Sequence, residues 1–326
     1  MKAWTVHQWG TPEQMTYEEV DVSTSSEDKV RVQIIASGVN FFEGLLVAGK
    51  YQVRPELPFI PGIEGAGVVV SAPTNAAVRT GDRVAFFTEV GRGSYAEFAD
   101  VDPMQVTLIP DAMSFAEGAA LLTPFLTAHL GLHRRGRLQA GETLLVHAAA
   151  GGVGSAAVQL GKAAGARVIA TAGSEAKVDF CRALGADLAV NYKEQSFVAA
   201  VKEFTEGNGA DVVFDPVGGD IFDQSTKCIA FEGRIVVVGF TSGRIAEALT
   251  SHVLVKSYSV VGVHLNQHIQ RELKLIRSLT SELLDLYTAG RIRPRISASY
   301  PIEEAPTALS AVFSGKTSGR VVLRAS

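Results

Sequence analysis

Cysteine is close to absent from this chain. Its 326 residues include two, Cys181 and Cys228, and neither has a CxxC partner, which excludes a disulfide framework or a thiolate metal cage. Both fall inside amphipathic patterns that predict reduced, buried thiols. No apolar run is long enough to span a bilayer, and the opening MKAWTVHQWGTPEQMTYEEV lacks the uninterrupted apolar stretch of a signal peptide. A cytoplasmic protein with no membrane partner is therefore expected. Blocks of like charge are missing as well. With a net charge of −4 the chain lacks the electrostatic footprint of a nucleic-acid binder, so neither DNA nor RNA is an expected partner. No repeat of solenoid length occurs.

What is present is apolar and patterned. A 47% hydrophobic and 20% charged composition describes a globular protein with a large core, and 326 residues exceed what a single core usually holds, so two domains are predicted. The first third is rich in β-branched runs separated by Gly, Pro and Asp, among them KVRVQIIASGV, GAGVVVSAP and GDRVAFF, which read as the short strands of a small distorted barrel. The pattern changes near Pro124. From Thr143 to Val261 apolar strands alternate with helical periods: TLLVHA then SAAVQLGKAAG, RVIATA then EAKVDFCRALG, LAVNY then FVAAVKEF, DVVFDPV then DIFDQSTKCI, and finally RIVVVGF. Regular βαβ alternation predicts a parallel sheet with helices on both faces. Beyond it lie a long amphipathic helix around Gln270 to Thr288 and a last strand, GRVVLRAS, which have no place in a completed sheet. The expected division is thus a discontinuous first domain, 1–123 with 263–326, around a second at 124–262, with ligands held in a cleft.

The strand TLLVHA runs directly into AAGGVG and then into a helix of small residues. This is the G-x-G-x-x-G pattern with Ala149 in the place of the first glycine. Gly151 lets the backbone approach a pyrophosphate, Gly154 lets helix and strand pack closely, and the phosphates rest on the free N–H groups of the helix N-terminus. The end of the second strand selects the dinucleotide. A preference for NAD calls for an acid there, but the chain reads Thr171-Ala172-Gly173-Ser174. Lys177 lies one turn into the next helix and Tyr192 ends the next strand, so a cation and hydroxyls are available to a 2′-phosphate. NADPH is the expected cofactor. Glu175 opposes this unless its side chain turns to water, and Lys177 read by itself is a solvated helix lysine.

Taken together, ASGVNFFEGLLVAGKY, PFIPGIEGAGVV, LLTPFLTAHLGL, LVHAAAGGVGSAAVQLGKAAGARVIAT, LGADLAVNY, FDPVGG, GRIVVVGF and GKTSGRVVL resemble the zinc-independent medium-chain dehydrogenase/reductase superfamily over nearly the whole chain. Within it the likeness is greatest to the zeta-crystallin-like NADPH:quinone oxidoreductases. The resemblance implies an α/β protein, with a GroES-like distorted β-barrel catalytic domain plus a Rossmann doubly wound parallel sheet, and a homodimer that pairs edge strands, here through 257–265. It implies that Ala150, Gly152 and Val153 line the pyrophosphate beside Ala149, Gly151 and Gly154. Gly173, Ser174, Lys177, Tyr192 and Arg320 would surround the adenosine phosphate. Phe240 and Thr241 would lie against the nicotinamide ribose, Val263 near the carboxamide, and Asn40 and Thr127 beside the nicotinamide face.

Zinc-dependent relatives carry a cysteine where this chain has Asn40 and a histidine where it has Ile63; an amide and an alkyl chain do not replace thiolate and imidazole, so no metal is expected. The expected chemistry is hydride transfer to a small-molecule electron acceptor, a quinone or similar conjugated carbonyl, which already spreads incoming negative charge. Asn40 is the candidate for orienting the substrate and Tyr51 for the proton donor or oxyanion partner. The alternatives are an Asx turn for Asn40, a core tyrosine for Tyr51, and a helix hydroxyl bonding its own backbone for Thr127. His147 reads as structural, and His129, His133, Arg134 and Arg135 as a solvated helix end. Two rival functions stand beside quinone reduction. One is reduction of an enone or enoyl thioester, for which Arg291, Arg293 and Arg295 would supply a basic approach. The other is a non-catalytic, crystallin-like NADPH binder.

Overall fold

The computed structural model describes residues 1–21 and 27–325. The chain divides into two compact units, the first made of Met1–Thr123, Leu273–Thr288 and Pro294–Ser326, the second of Pro124–Glu272 and Ala289–Arg293. The opening stretch supplies strands β1 (Lys2–Thr5), β2 (Thr16–Glu19), β3 (Val30–Val39), β4 (Glu64–Ser71), β5 (Arg83–Phe87), β6 (Phe98–Val101) and β7 (Val106–Leu108), with helices α1 (Phe41–Val47) and α2 (Phe115–Ala119). Helix α3 (Leu122–His129) continues as a π-helical stretch, Leu130–Arg135. There follow β8 (Thr143–Val146), α4 (Gly152–Ala163), β9 (Arg167–Ala172), α5 (Glu175–Ala183), β10 (Leu188–Asn191) and α6 (Phe197–Phe204). Next come β11 (Ala210–Asp215), α7 (Gly219–Ser225), β12 (Ile229–Val237), α8 (Thr250–Lys256), β13 (Ser259–Gly262) and α9 (Leu265–Arg271). Helix α10 (Leu273–Thr288), β14 (Ile296–Pro301), α11 (Ala305–Phe313) and β15 (Arg320–Arg324) complete the chain.

In the first unit the strands run in the order β14-β15-β3-β4-β5-β7, with β6 also on β3, and are antiparallel apart from the β14–β15 pair. Strand β3 shows why its sequence suits a barrel wall. Val30, Val32 and Ile34 face inward while Gln33 faces out, the period of two that one buried sheet face requires. Register shifts where β3 meets β4 bend the sheet. Helix α2 starts in a reciprocal cap, Ser114 Oγ accepting the Glu117 N–H while Glu117 accepts that of Ser114.

The second unit is a parallel sheet of order β10-β9-β8-β11-β12-β13, which reverses direction of growth between β8 and β11. Helices cover both faces, so β8 is apolar throughout, and Leu144, Leu145 and Val146 are fully buried. Each contributes about 1.5–3 kcal/mol relative to an exposed side chain. Small residues let α4 lie close to β8: a Cβ on Gly161 would meet Leu144 at 2.5 Å.

Two boundaries differ from the sequence expectation. The return to the first unit begins at Leu273, not at 263, because Val263 N–H still bonds Val237 and the α9 segment is held by Arg135 on the Gly262 carbonyl and by Arg134 on Glu272. The long amphipathic helix is in fact two. Glu272, with φ −138°, interrupts it while capping α9 through its N–H to His268 O. Arg134 and Arg135 are exposed at their helix end, as expected, and each makes one of these contacts. No helix among the described residues is long and apolar enough to cross a membrane.

Candidate active site

The carboxyl ends of β8, β9, β10, β12 and β13 all open on one edge of the parallel sheet, where a doubly wound fold takes its ligand at the point of strand reversal. After β8 the chain turns sharply. Ala148 holds a left-handed φ of 46°, which costs about 1–2 kcal/mol for a residue with a Cβ. The tight turn that the fingerprint's first glycine would make is thus made one residue before Ala149, whose own N–H is tied to Thr171 O on β9. Gly154 is mandatory, since a Cβ there would sit 2.3 Å from the Ala148 carbonyl. Gly151 is different: a Cβ would meet nothing but that carbonyl, at 3.2 Å, so the space over the turn is open. The leading N–H groups of α4, those of Gly152, Val153 and Gly154, have no partner within the helix, and with Ala150 they form a cradle that fits a pyrophosphate.

The ends of β9 and β10 come together beside this cradle. The Tyr192 hydroxyl would lie 2.7 Å from a Cβ on Gly173, and the Lys193 side chain 3.5 Å from it, so both side chains lie over that glycine. Lys177, one turn into α5, has its ammonium pushed below its ordinary 10.5, first by burial and then by the charge of Lys193. The Ser174 hydroxyl makes no cap bond to α5 and is exposed. Two lysines close enough to repel each other, with hydroxyls at their side, are suited to a dianion. Glu175 does not oppose it: its carboxylate accepts the Asn191 side-chain amide at 3.0 Å. Lys193 was not legible as a site residue, and its one signal in the chain is its place directly after Tyr192 at a strand end.

On the other half of the edge, Phe240 lies against Gly218, Thr241 N–H bonds Pro216 O, and Val263 N–H bonds Val237 O, so all three are held at strand ends. Thr127 is buried on α3. His147 is a core residue. Its two ring nitrogens bond the hydroxyls of Thr171 (2.9 Å) and Ser225 (2.8 Å), and burial pushes it down to about 3, so it stays neutral. Cys181 and Cys228 are unpaired and buried, their thiols pushed up by burial to about 12 and about 11.

The first unit contains a buried polar network that takes in two of the expected site residues. Arg320 is one of its members. Its guanidinium, 4% exposed, donates to Glu64 Oε1 (2.6 Å), Asn40 Oδ1 (3.0 Å) and the Val39 carbonyl (3.3 Å). Register puts it there, because β15 pairs with β3 next to Val39, and a buried carboxylate needs a cation. Asn40 is another. Its amide donates to Glu64 (3.1 Å) and Glu43 (3.3 Å) and accepts from Arg320, which leaves it 4% exposed and committed to the network.

Glu64 also accepts the Thr123 N–H, and Glu43 accepts from Tyr95 Oη (2.6 Å), Asn40 N and Ile63 N. Four donors pull the Glu43 carboxyl down, yet complete burial outweighs them and raises it to about 7. Ile63 brings an alkyl side chain where a third ligand would stand, and the two carboxylates are already bonded, so these residues do not fit zinc. Among the described residues no group of three or more His, Cys, Asp or Glu side chains is arranged to hold a metal ion. Tyr51 stacks obliquely on Phe42, half-buried, with its phenol raised above 10.0 by burial and therefore protonated at neutral pH.

Two family profiles match this chain, that of zinc-binding dehydrogenases over residues 152–281 and that of the alcohol dehydrogenase GroES-like domain over residues 26–111. The quinone oxidoreductase-like protein 2 homolog of Nematostella vectensis is 37% identical over 298 residues, which are 90% of this chain and 81% of the relative. Among solved structures, the Escherichia coli quinone oxidoreductase complexed with NADPH matches with a TM-score of 0.91 at 30% identity, covering 99% of this chain and 100% of that one. The CurK enoyl reductase matches with a TM-score of 0.89 at 28% identity, over 100% of this chain and 99% of that one.

Proposed function

The chain belongs to the medium-chain dehydrogenase/reductase superfamily, among its quinone oxidoreductase-like enzymes, and from that membership we propose that it is a zinc-independent, NADPH-dependent reductase of quinones or similar electron-poor conjugated carbonyls. The observation that carries the cofactor choice is that Lys193 and Tyr192 lie over Gly173, with Lys177 close enough to Lys193 to feel its charge, where an NAD site would hold an acid.

Bound NADPH supplies the hydride. The chain's own part is binding and electrostatics. The α4 cradle holds the pyrophosphate, Lys177, Lys193, Ser174 and Tyr192 hold the 2′-phosphate, and Phe240, Thr241 and Val263 line the other half of the cofactor. Tyr51, kept protonated, is the candidate proton donor to the reduced acceptor, and Thr127 a second hydroxyl for it. With Asn40 bonded into the network and Ile63 offering no ligand atom, the protein works without a Lewis acid and relies on positioning and hydrogen bonding, both large contributions to rate.

The likeness to an enoyl reductase favours a second reading, reduction of a conjugated C=C bond. Arg291, a candidate for a basic approach to a thioester, bonds the Ala163 carbonyl. The proposal extends to a cytosolic homodimer. Buried unpaired thiols suit a reducing compartment, and the edge strand β13 follows an α8 whose Leu254 and Val255 are exposed.

The test is turnover of NADPH with 1,4-naphthoquinone, with an enone and with crotonyl thioester, each with and without chelator. Consumption with the quinone alone, unaffected by chelator, is the expected result. Consumption with the enone or thioester alone favours the second reading, and tight NADPH binding without turnover marks a non-catalytic binder.

A further inference from the structure

His264 is the first residue past Val263 at the carboxyl edge of β13. The sheet reverses between β8 and β11, so a dinucleotide whose pyrophosphate rests on α4 and whose adenosine half lies over β9 and β10 has its reactive half over the ends of β11, β12 and β13. Strand β13 stands three spacings from β8, about 14 Å, so its end is at the far side of that reactive half.

The imidazole is oriented by its own helix. His264 caps α9, its Nδ1 accepting the Gln267 backbone N–H at 3.3 Å. An accepting Nδ1 carries no proton, so in the neutral ring the proton is on Nε2. Burial first, then the neighbouring His268, hold the ring below its ordinary 6.5, and it is neutral at neutral pH. Nε2 has no protein partner among the described residues, and the ring is half-buried. Other histidines nearby are engaged: His268 bonds Glu272 at 2.7 Å, and His129 meets His133 edge to face. A neutral imidazole with a fixed tautomer and a vacant N–H is a preorganised donor for an oxyanion.

We propose that the Nε2–H of His264 is a catalytic hydrogen-bond donor to the acceptor oxygen on which negative charge develops during reduction. The assignment rests on the reductase reading above. As the hydride pair enters the acceptor, one conjugated π bond breaks and its electrons move to the carbonyl oxygen. Nε2–H bonds that oxyanion without giving up its proton. The proton that neutralises it comes from solvent, NADPH being oxidised and the acceptor reduced by two electrons.

The test separates capping from catalysis. His264→Asn keeps an oxygen for the Gln267 N–H, Asn being among the best N-caps, but removes Nε2–H. His264→Gln is a poorer cap and restores an N–H at about the reach of Nε2. With NADPH and 1,4-naphthoquinone, kcat is expected to fall about 100-fold in the Asn variant and to recover in part in the Gln variant, with the NADPH Kd of both within about twofold of wild type. The opposite order, Asn at or above Gln, is the signature of a cap and overturns the proposal. A second readout is independent of activity. In two-bond ¹H–¹⁵N spectra of histidine-labelled protein, His264 should show the Nε2–H tautomer, and its Nε2 resonance should move when 1,4-dihydroxynaphthalene is added to the NADP⁺ complex. The other tautomer, or an unmoved resonance, refutes the assignment. Wild-type protein that binds NADPH and reduces no acceptor sinks the reductase reading itself; wild-type turnover matched by the Asn variant sinks the role of His264 alone.

Discussion

Lys177→Ala removes one of two ammonium groups that the fold brings together, and its effect on nucleotide choice follows from their arrangement. Lys177 is half-buried beside Lys193, and both burial and that like charge disfavour its charged form. A 2′-phosphate carries about −1.5 to −2 charges and relieves the repulsion when it arrives. A unit pair at about 4 Å is worth about 1 kcal/mol in bulk water and about 4 at the effective dielectric of a protein surface. The net value of a charge-assisted hydrogen bond, once desolvation is subtracted, is about 1.5–3 kcal/mol. At 1.4 kcal/mol per decade this is about a 10- to 150-fold rise in the NADPH Kd, while NADH, which has no such phosphate, stays within about twofold. Lys193→Ala should act in the same direction and less, because Lys193 is more exposed. The assay is fluorescence titration with each dinucleotide at low salt and at 0.5 M salt, where screening should narrow the gap between them. Equal losses for NADPH and NADH would refute the phosphate assignment.

Gly151→Val should fold, since its Cβ meets only the Ala148 carbonyl at 3.2 Å, but it fills the cradle and should weaken NADPH and NADH alike by about tenfold or more. Unchanged nucleotide affinity in a well-folded sample would remove the basis of the whole reading. Arg320→Leu strands the Glu64 carboxylate, fully buried, without its cation and should destabilise the protein by about 3–5 kcal/mol in urea unfolding. The NADPH-to-NADH preference should not change, and a shift in it would return Arg320 to the phosphate site. Glu43 gives stability a pH dependence of defined sign. Its folded pKa, about 7, lies above the ordinary 4.5, so the folded chain keeps a proton that the unfolded chain releases. That contribution is complete below pH 4.5 and is lost as the pH rises through 7. The urea midpoint of wild type should therefore decline from pH 5 to 8 by a component missing in Glu43→Gln, and parallel profiles would contradict it.

The network around Glu43, Glu64 and Arg320 also marks where reading along the chain stops. Residues 40, 64 and 320 are brought together by strand pairing, β15 on β3 and β3 on β4. No local pattern says that the guanidinium closest to Glu64 comes from the last strand, so the network went unread while the resemblance assigned Arg320 to a phosphate and Asn40 to a substrate. Lys193 was missed for the same reason. Its relevance depends on Gly173, twenty residues earlier, having no side chain to hold it away.

By itself the sequence determined the βαβ alternation, the fingerprint turn at Ala149–Gly154 and the missing acid after β9. Each is a local matter: hydrophobic period, backbone freedom and the chemistry of one strand end act within a few residues. Tertiary structure alone decided which buried charges satisfy one another, which lysines feel each other's charge, and where α9 breaks from α10. Those depend on groups distant along the chain or on hydrogen-bond geometry, and desolvation gives each of them its energy only once the fold has closed around it.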